Sequence, residues 1–306
     1  MAAPPAGRVA RVATFCVFGL FLTLGISVQW LDPVFGIWFS EIFIFFGAAW
    51  VVLRASGREP LQSTAFTPFR GRAAAFGFAV GTLNLFAAVL PIQAVALTLA
   101  PAGASEAFDS SRIFEGRSAW GLAAIVVSVS FAAPVCEEFF FRGVLQKQWS
   151  ATGARPWTAV LGTSALFSAL HLDPIGFPAR LELGLLFGWL FLRTGSLWPG
   201  IFAHAANNGV STLLYFLGRK LGAEKAEPDV GAALAMAVVG LLPLVALVRR
   251  GLLKGWVTAQ GDAVPADRLG RPLGPYAAAR PWILAQTLSL GLFLATKRWL
   301  VPLLQR

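Results

Sequence analysis

Long apolar runs separated by short polar segments dominate this chain. Charge-free runs such as 12–31, 73–100 and 230–248 reach the roughly 20 residues that an α-helix needs to cross a bilayer. No single globular core requires so many apolar runs of this length. The pattern therefore predicts an all-α fold, namely a polytopic bundle of transmembrane helices.

The apolar runs divide the chain into about eight predicted spans. We place them at residues 12–31, 36–53, 73–99, 118–146, 156–172, 179–193, 199–217 and 230–248. A possible ninth, residues 281–296, has only 16 charge-free residues, so an interfacial position is the alternative. We divide the chain into three N-terminal spans (1–117), a four-span core (118–217) and a C-terminal part with a basic loop (218–306).

Composition agrees with a membrane protein and excludes several other classes. Of the 306 residues, 57% are apolar and 13% charged, which is too few charged residues for a soluble domain of this size. The net charge of +10 is interpreted as positive-inside orientation rather than nucleic-acid binding. More Lys and Arg fall on the N-terminal side of the predicted path, which predicts a cytoplasmic N-terminus. The Ala-, Gly-, Pro- and Arg-rich composition suggests a bacterial cytoplasmic membrane, with lipids as partners.

One predicted span carries three charged residues within the stretch PVCEEFFFRG, residues 134–143. Glu138 and Arg142 are four residues apart, so they share a helix face and can neutralise each other. Glu137 points elsewhere and has no partner in its own helix. Because an unpaired carboxylate inside a membrane is costly, Glu137 is a candidate functional residue.

Both histidines of the chain lie in the spans that follow these glutamates. A single histidine on an apolar face is more often structural than catalytic, but here the whole histidine complement lies in two such spans. His171 and Glu137 are equally far from Ala154 in the intervening polar turn, so an antiparallel hairpin would place them at one level. His204 shares a helix face with Asn208, four residues later.

These groups suit hydrolysis. Glu137 and His171 could hold and deprotonate a water molecule, and His204 and Asn208 could donate to the oxyanion that forms when water attacks a carbonyl. No serine or cysteine nucleophile is needed, and we interpret Cys136 as a packing residue.

A metal site is the alternative explanation. Glu137, His171 and His204 match the ligand count of a catalytic zinc with an open water position. However, the chain lacks the H-E-x-x-H pattern that usually marks such sites, and Glu138, the remaining candidate base, is already paired with Arg142. We therefore prefer catalysis without a cofactor, with a divalent metal such as zinc as the alternative.

Three motifs on successive spans resemble those of one known family, the CAAX protease and bacteriocin-processing (CPBP, or Abi) intramembrane proteases, whose eukaryotic branch is the type 2 CAAX prenyl endopeptidases. The motifs are Glu137-Glu138-x-x-x-Arg142, Phe167-x-x-x-His171 and His204-x-x-x-Asn208. The resemblance covers about a third of the chain.

The resemblance implies a role for each matched residue. It implies that Glu137 and His171 activate water and that His204 and Asn208 form the oxyanion site. It also implies three supporting residues: Glu138 and Arg142 would form a structural ion pair, and Phe167 would line the cavity.

The resemblance also implies an intramembrane endopeptidase acting on a peptide or protein tail delivered at the membrane. The tail could be a prenylated CAAX sequence, a C-terminal sorting signal or a bacteriocin leader. Two other classes stay open: a non-catalytic binding or partner-regulating protein of the same fold, and an ion or proton transporter. A pure scaffold has no need of all four polar residues, and the inverted repeat typical of transporters is not evident.

Two more polar residues lie within predicted spans. Glu41 is near one end of the second span, so we predict that it reaches the interface or pairs with an arginine, with membership of a polar pathway as the alternative. For Asn84 in the third span we predict a hydrogen bond between helices.

Overall fold

A computed structural model describes residues 5–66, 68–101, 104, 108–153, 155–222 and 229–256. Within these residues the regular structure is helical, without a strand, and the predicted all-α fold is confirmed. The eight long helices are α1 (Ala6–Leu31), α2 (Pro33–Ala55), α3 (Gly71–Leu99), α4 (Ala119–Ser150), α5 (Pro156–Leu170), α6 (Phe177–Thr194), α7 (Trp198–Lys220) and α8 (Val230–Leu253).

The eight helices lie where the eight spans were predicted, but they are not equivalent. Five of them, α1 to α4 and α8, are long and apolar enough to cross a membrane. Helix α5 has 15 residues, about 22 Å, which is shorter than a bilayer core of about 30 Å. Both α6 and α7 contain polar and charged residues. The possible ninth span (281–296) lies outside the described residues, and the three-part division of the chain stays a prediction.

Capping residues set several helix ends. The side chain of Asp32 accepts a hydrogen bond from the backbone N–H of Phe35, and Pro33 occupies the first helical position of α2. Ser118 caps α4 in the same way, through the N–H of Gly121. Because of the cap at Asp32, α2 begins at Pro33, three residues earlier than predicted.

Helices α3 and α7 approach each other so closely that their backbones touch. Gly77 and Gly81 lie one turn apart on α3, and a side chain at either would collide with the backbone of α7 at Pro199 or Ala203. Small residues at this spacing are a common means of close helix packing in membranes. The contact fixes the position of α7 immediately before His204.

Side chains from α4 attach this helix to the backbone of α6. Arg142 Nη2 donates to the carbonyl oxygen of Gly184 at 3.0 Å, and one turn later Gln146 Nε2 donates to that of Gly188 at 2.9 Å. Both donors are buried, so each hydrogen bond satisfies a polar group that lipid could not. Helices α4 and α6 are therefore held in a fixed register.

The N-terminal helices pack on the same core as α4. Phe18 of α1 contacts the rings of Phe140 and Phe141, with centroids 6.1 and 6.5 Å away. Phe45 of α2 lies 6.0 Å from Phe140. This aromatic cluster brings α1 and α2 beside the charged segment of α4.

Candidate active site

A cavity of about 810 Å³ lies within the bundle and is bordered by side chains from α1 to α7. Its wall includes the four residues predicted to be catalytic, together with the predicted lining residue Phe167. The four are Glu137, His171, His204 and Asn208. Residues from three separate helices and one loop thus meet at one cavity.

Glu138 is buried next to the cavity and contacts both Arg142 and His204. Its Oε1 lies 2.7 Å from Arg142 Nη1, and the predicted ion pair between these two side chains is present. The same oxygen lies 3.2 Å from His204 Nδ1, a contact that the sequence did not predict. Both members of the pair are almost completely buried, so breaking it would leave a charge without compensation.

Glu137 faces the cavity from the same turn of α4. Its Oε2 lies 3.9 Å from His204 Nε2, which is too long for a hydrogen bond. Within the described residues, this oxygen is buried without a hydrogen-bond partner.

His171 follows the last residue of α5 and is oriented by the helix it ends. Its Nδ1 lies 2.9 Å from the carbonyl oxygen of Phe167. Because a carbonyl only accepts, Nδ1 carries the proton and Nε2 is left as an acceptor. The next residue, Leu172, has a φ of 55°, which is unusual for a side chain of this kind and ends the helix abruptly.

Aromatic rings hold the imidazole of His204. The ring of Phe187 stacks on it with centroids 4.8 Å apart and planes inclined by 21°. Phe167 meets it edge-on at 5.7 Å and also meets His171 at 5.1 Å. Phe167 thus contacts both histidines, and its position in the cavity wall agrees with the predicted one.

Asn208 is positioned by the backbone of α4. Its Nδ2 donates to the carbonyl oxygen of Val129 at 2.9 Å. This carbonyl belongs to a wide, π-helical turn, Ser128–Ala132, and the residue five positions later is Pro134, which has no N–H to donate to it. Asn207 donates to Asn208 Oδ1 at 3.1 Å.

Glu41 does not behave as predicted. It is 6% exposed, it lines the cavity, and within the described residues its Oε2 has no hydrogen-bond partner and its carboxylate forms no ion pair. Because α2 begins at Pro33, Glu41 lies more than two turns inside the helix. The predicted interfacial position or arginine pair is therefore wrong.

Two other polar contacts concern α6. The predicted hydrogen bond of Asn84 is present, since its Nδ2 donates to Glu182 Oε2 at 2.9 Å. Sequence reasoning did not single out Arg180 and Asp173, which form an ion pair at the cavity wall. Asp173 lies outside the helix that carries Arg180, so helical spacing could not predict this ion pair from the sequence.

The arrangement of acidic residues and histidines bears on the alternative of a metal site. Among the described residues, no group of three or more His, Cys, Asp or Glu side chains comes together as metal ligands. His204 Nδ1 is bound to Glu138 and His171 Nδ1 to a backbone carbonyl. These two contacts leave Nε2 of each ring free, as in metal-binding histidines, but the side chains as placed do not converge into a three-ligand zinc site.

Comparison with known proteins finds a similarity to one family. Residues 119–210 match the family model described as type II CAAX prenyl endopeptidase Rce1-like. The uncharacterized protein YyaK of Bacillus subtilis (strain 168) is 28% identical over 191 residues, which are 58% of this chain and 60% of that protein. No solved structure matches. The resemblance predicted from the three motifs is thereby confirmed: residues 119–210 are similar to the Rce1-like family, and this match together with the five helices of membrane-spanning length supports an integral membrane protein.

Proposed function

We propose that this protein is an intramembrane endopeptidase that hydrolyses a peptide bond in a tail delivered at the membrane. The observation that carries the proposal is the buried carboxylate of Glu137, whose Oε2 has no hydrogen-bond partner among the described residues. This carboxylate lines the same cavity as both histidines and lies next to the ion pair of Glu138 and Arg142. A buried carboxylate without a partner inside a membrane is costly to maintain, and it is expected where it performs chemistry.

In this proposal a water molecule binds between Glu137 and His171. Glu137 takes its proton, Nε2 of His171 orients the water, and the hydroxide oxygen attacks the substrate carbonyl. The resulting oxyanion receives hydrogen bonds from the amide of Asn208 and from Nε2–H of a protonated His204. When the C–N bond breaks, the proton held by Glu137 passes to the leaving amine.

Glu138 has a defined part in this sequence of steps. Since its carboxylate accepts from Nδ1–H of His204, the second nitrogen of that ring can donate only when the imidazole is protonated. A carboxylate beside an imidazole stabilises the imidazolium, as in the aspartate of serine proteases. Arg142 holds this carboxylate in place through its contact of 2.7 Å.

The remaining parts of the proposal concern context. We place the enzyme in a bacterial cytoplasmic membrane with its N-terminus in the cytoplasm, working without a cofactor. Its partners would be membrane lipids and a peptide or protein whose tail is associated with the membrane. A prenylated tail, a C-terminal sorting signal and a bacteriocin leader are all compatible substrates.

The test compares purified wild type with Glu137→Gln in liposomes, against a pool of tail peptides of these three kinds, read by mass spectrometry. We expect products from wild type and a loss of roughly 10²–10⁴-fold in rate in the variant. Cys136→Ala is the matched control, because Cys136 precedes Glu137, is buried in the core and has no role in the mechanism.

Each outcome has a meaning. Equal products from wild type and Glu137→Gln would refute the role given to Glu137. No products from either, when both are folded, would favour a non-catalytic binding protein. Cleavage that persists in a chelator supports metal-free catalysis. Loss of cleavage in the chelator, restored by zinc, would instead require a metal.

A further inference from the structure

Glu41 is a second buried carboxyl group in the cavity, and the mechanism described above does not use it. Among the described acidic residues that line the cavity, Glu41 and Glu137 are the two buried ones, at 6% and 8% exposed. Glu41 belongs to α2 and lies outside the three motifs. Because a buried acid inside a membrane is costly to maintain, Glu41 is a candidate functional group.

Glu41 has no counter-charge among the described residues. Its Oε2 has no hydrogen-bond partner there, and its carboxyl group takes part in none of the ion pairs. Within the described part of the cavity wall Arg180 is the single lysine or arginine, and it is paired with Asp173. Burying a neutral carboxyl group costs far less than burying a carboxylate that lacks a cation.

Helices α2 and α4 pack side by side and run in the same direction. In the first part of each helix, Nε1 of Trp38 donates to the carbonyl oxygen of Ala124 at 3.1 Å. Further along both helices, the ring of Phe45 lies 6.2 Å from the ring of Phe141. Residues that precede this second contact by the same number of positions therefore lie at a similar level.

Glu41 and Glu137 occupy such matching positions. Glu41 is four residues before Phe45, and Glu137 is four residues before Phe141, so each acid lies about one turn before the contact of the two rings. Both acids line the cavity and lie within electrostatic range of each other. Two adjacent helices thus each bring one carboxyl group to the same part of the cavity.

Packing against α1 fixes the position of Glu41 along the cavity. A side chain at Gly36 would collide with the backbone of α1 at Gln29, and Nε2 of Gln29 donates to Oγ of Ser40 at 2.9 Å. Ser40 begins the wide, π-helical stretch Ser40–Ala48, which contains Glu41. Such stretches are rare and occur frequently at functional sites.

We propose that Glu41 is the general acid of the reaction, which holds a proton and gives it to the leaving nitrogen when the peptide bond breaks. This inference rests on the proposed function and replaces its last proton transfer, which Glu137 would otherwise make. Two carboxyl groups in different surroundings can divide the roles of base and acid between them. Glu137 suits the ionised role, since it lies beside His204, which becomes a cation in the proposed mechanism.

The proton transfers form a closed cycle. Ionised Glu137 takes one proton from water, and the hydroxide oxygen bonds to the carbonyl carbon. The C–N bond then breaks, its electron pair stays on nitrogen, and the carboxyl proton of Glu41 bonds to that nitrogen, so that a carboxylic acid and an amine are formed. The proton on Glu137 finally passes to Glu41, which restores both groups.

The test varies how much the leaving group needs a proton. Once the products have located the cut bond, the residue after it is replaced by 4-aminobenzoic acid or by 4-hydroxybenzoic acid, which joins the same tail through an amide or an aryl ester. An amide nitrogen leaves only with a proton, whereas a phenol, with a pKa of about 10, can leave as phenolate. In Glu41→Gln we expect kcat to fall by roughly 10²–10⁴-fold on the amide and by less than about tenfold on the ester.

Two further variants serve as controls. Glu137→Gln should lose cleavage of both substrates, because each needs an activated water molecule. Glu182→Gln makes the same chemical change at a partly buried glutamate that does not line the cavity, and it should cleave both substrates at the wild-type rates.

Several results would overturn the inference. Cleavage of the amide by Glu41→Gln at the wild-type rate would do so, and equal losses on amide and ester would make Glu41 a structural residue. A rise in KM confined to tails with basic residues would assign Glu41 to binding of a cationic side chain. Retained cleavage of the ester shows at the same time that the variant is folded.

A second variant and the wild type complete the test. Should Glu41→Gln fail to fold, Glu41→Asp keeps a carboxyl group but holds it one methylene further from the bond, so its loss should again be larger on the amide than on the ester. Equal losses in Glu41→Asp would overturn the inference. Absence of any cleavage by wild type would refute the proposed function itself, whereas failure of the inference alone leaves wild-type cleavage and its loss in Glu137→Gln intact.

Discussion

Helices α4 and α8 are both long and apolar enough to cross a membrane, but they are built for different surroundings. In α8, side chains such as Val239 and Leu242 are 74% and 72% exposed, and charged residues occur only near its C-terminal end. In α4, Glu138 and Arg142 are almost fully buried in the middle of the bundle.

The difference lies in how polar groups are satisfied. The buried side chains of α4 find partners on other helices: His204 for Glu138, and backbone carbonyls of α6 for Arg142 and Gln146. Among its described residues, α8 contributes no side chain to the cavity. Apolar composition therefore identifies a membrane-spanning helix. Buried polar side chains with partners on other helices identify which of these helices belongs to the candidate active site.

The largest effect is expected from Arg142→Ala. This change leaves the buried carboxylate of Glu138 without its guanidinium partner, which should cost about 3–5 kcal/mol in the free energy of unfolding. The measurement is SDS-induced unfolding of the purified protein in detergent. Arg54→Ala is the control, since its ion pair with Glu59 is well exposed and should contribute at most about 1 kcal/mol. Equal losses in the two variants would contradict the role given to the buried pair.

Asn208→Ala should reduce activity strongly, and stability only by about 0.6 kcal/mol for its lost hydrogen bond to Val129. Loss of one oxyanion donor is expected to lower kcat by roughly 10²–10³-fold, about 2.7–4 kcal/mol in activation free energy. Steady-state kinetics on the best peptide of the pool measures it. If only KM changed, Asn208 would bind substrate instead of the transition state.

Asn84→Ala is the corresponding change at an asparagine outside the cavity. It removes the hydrogen bond to Glu182 between α3 and α6. We expect about 0.6 kcal/mol of lost stability, at most about 1.7, and unchanged kcat. A fall in kcat as large as that of Asn208→Ala would show that the position of α6 controls catalysis.

The smallest effect is expected from Val239→Ala on the exposed face of α8. Lipid would replace the lost methyl contacts, so stability should change by less than about 0.5 kcal/mol and activity not at all. SDS unfolding and the peptide assay measure both. A large loss of stability here would indicate that this face of α8 packs against protein.

The sequence predicted what depends on local spacing. Helix positions follow from apolar runs, and the pair Glu138–Arg142 follows from a separation of four residues on one helix. The contact between Glu138 and His204 joins residues 66 positions apart and depends on how α3 and α7 pack, so no periodicity encodes it. Arg180 was missed for a similar reason, because only the assembled cavity shows that it is the cation in the wall.

Glu41 shows how a local argument fails. Its distance from the end of an apolar run suggested an interfacial position, but the true start of α2 is set by the cap at Asp32. Which side of α2 faces the cavity depends on its packing with α1 and α4. A hydropathy pattern that is apolar on all sides contains no information about that choice.

The two contacts of Glu138 Oε1 predict which residues would be retained in relatives that have lost the reaction. Oε1 of Glu138 accepts from both Arg142 and His204, so the fold and the proposed chemistry depend on the same atom. In a lineage that no longer needed the reaction, Glu137 would be free to drift, because nothing within the described structure is hydrogen-bonded to its Oε2. Glu138 and Arg142 would have to stay for the protein to fold, and such a relative would be recognised by an intact ion pair beside a missing carboxylate.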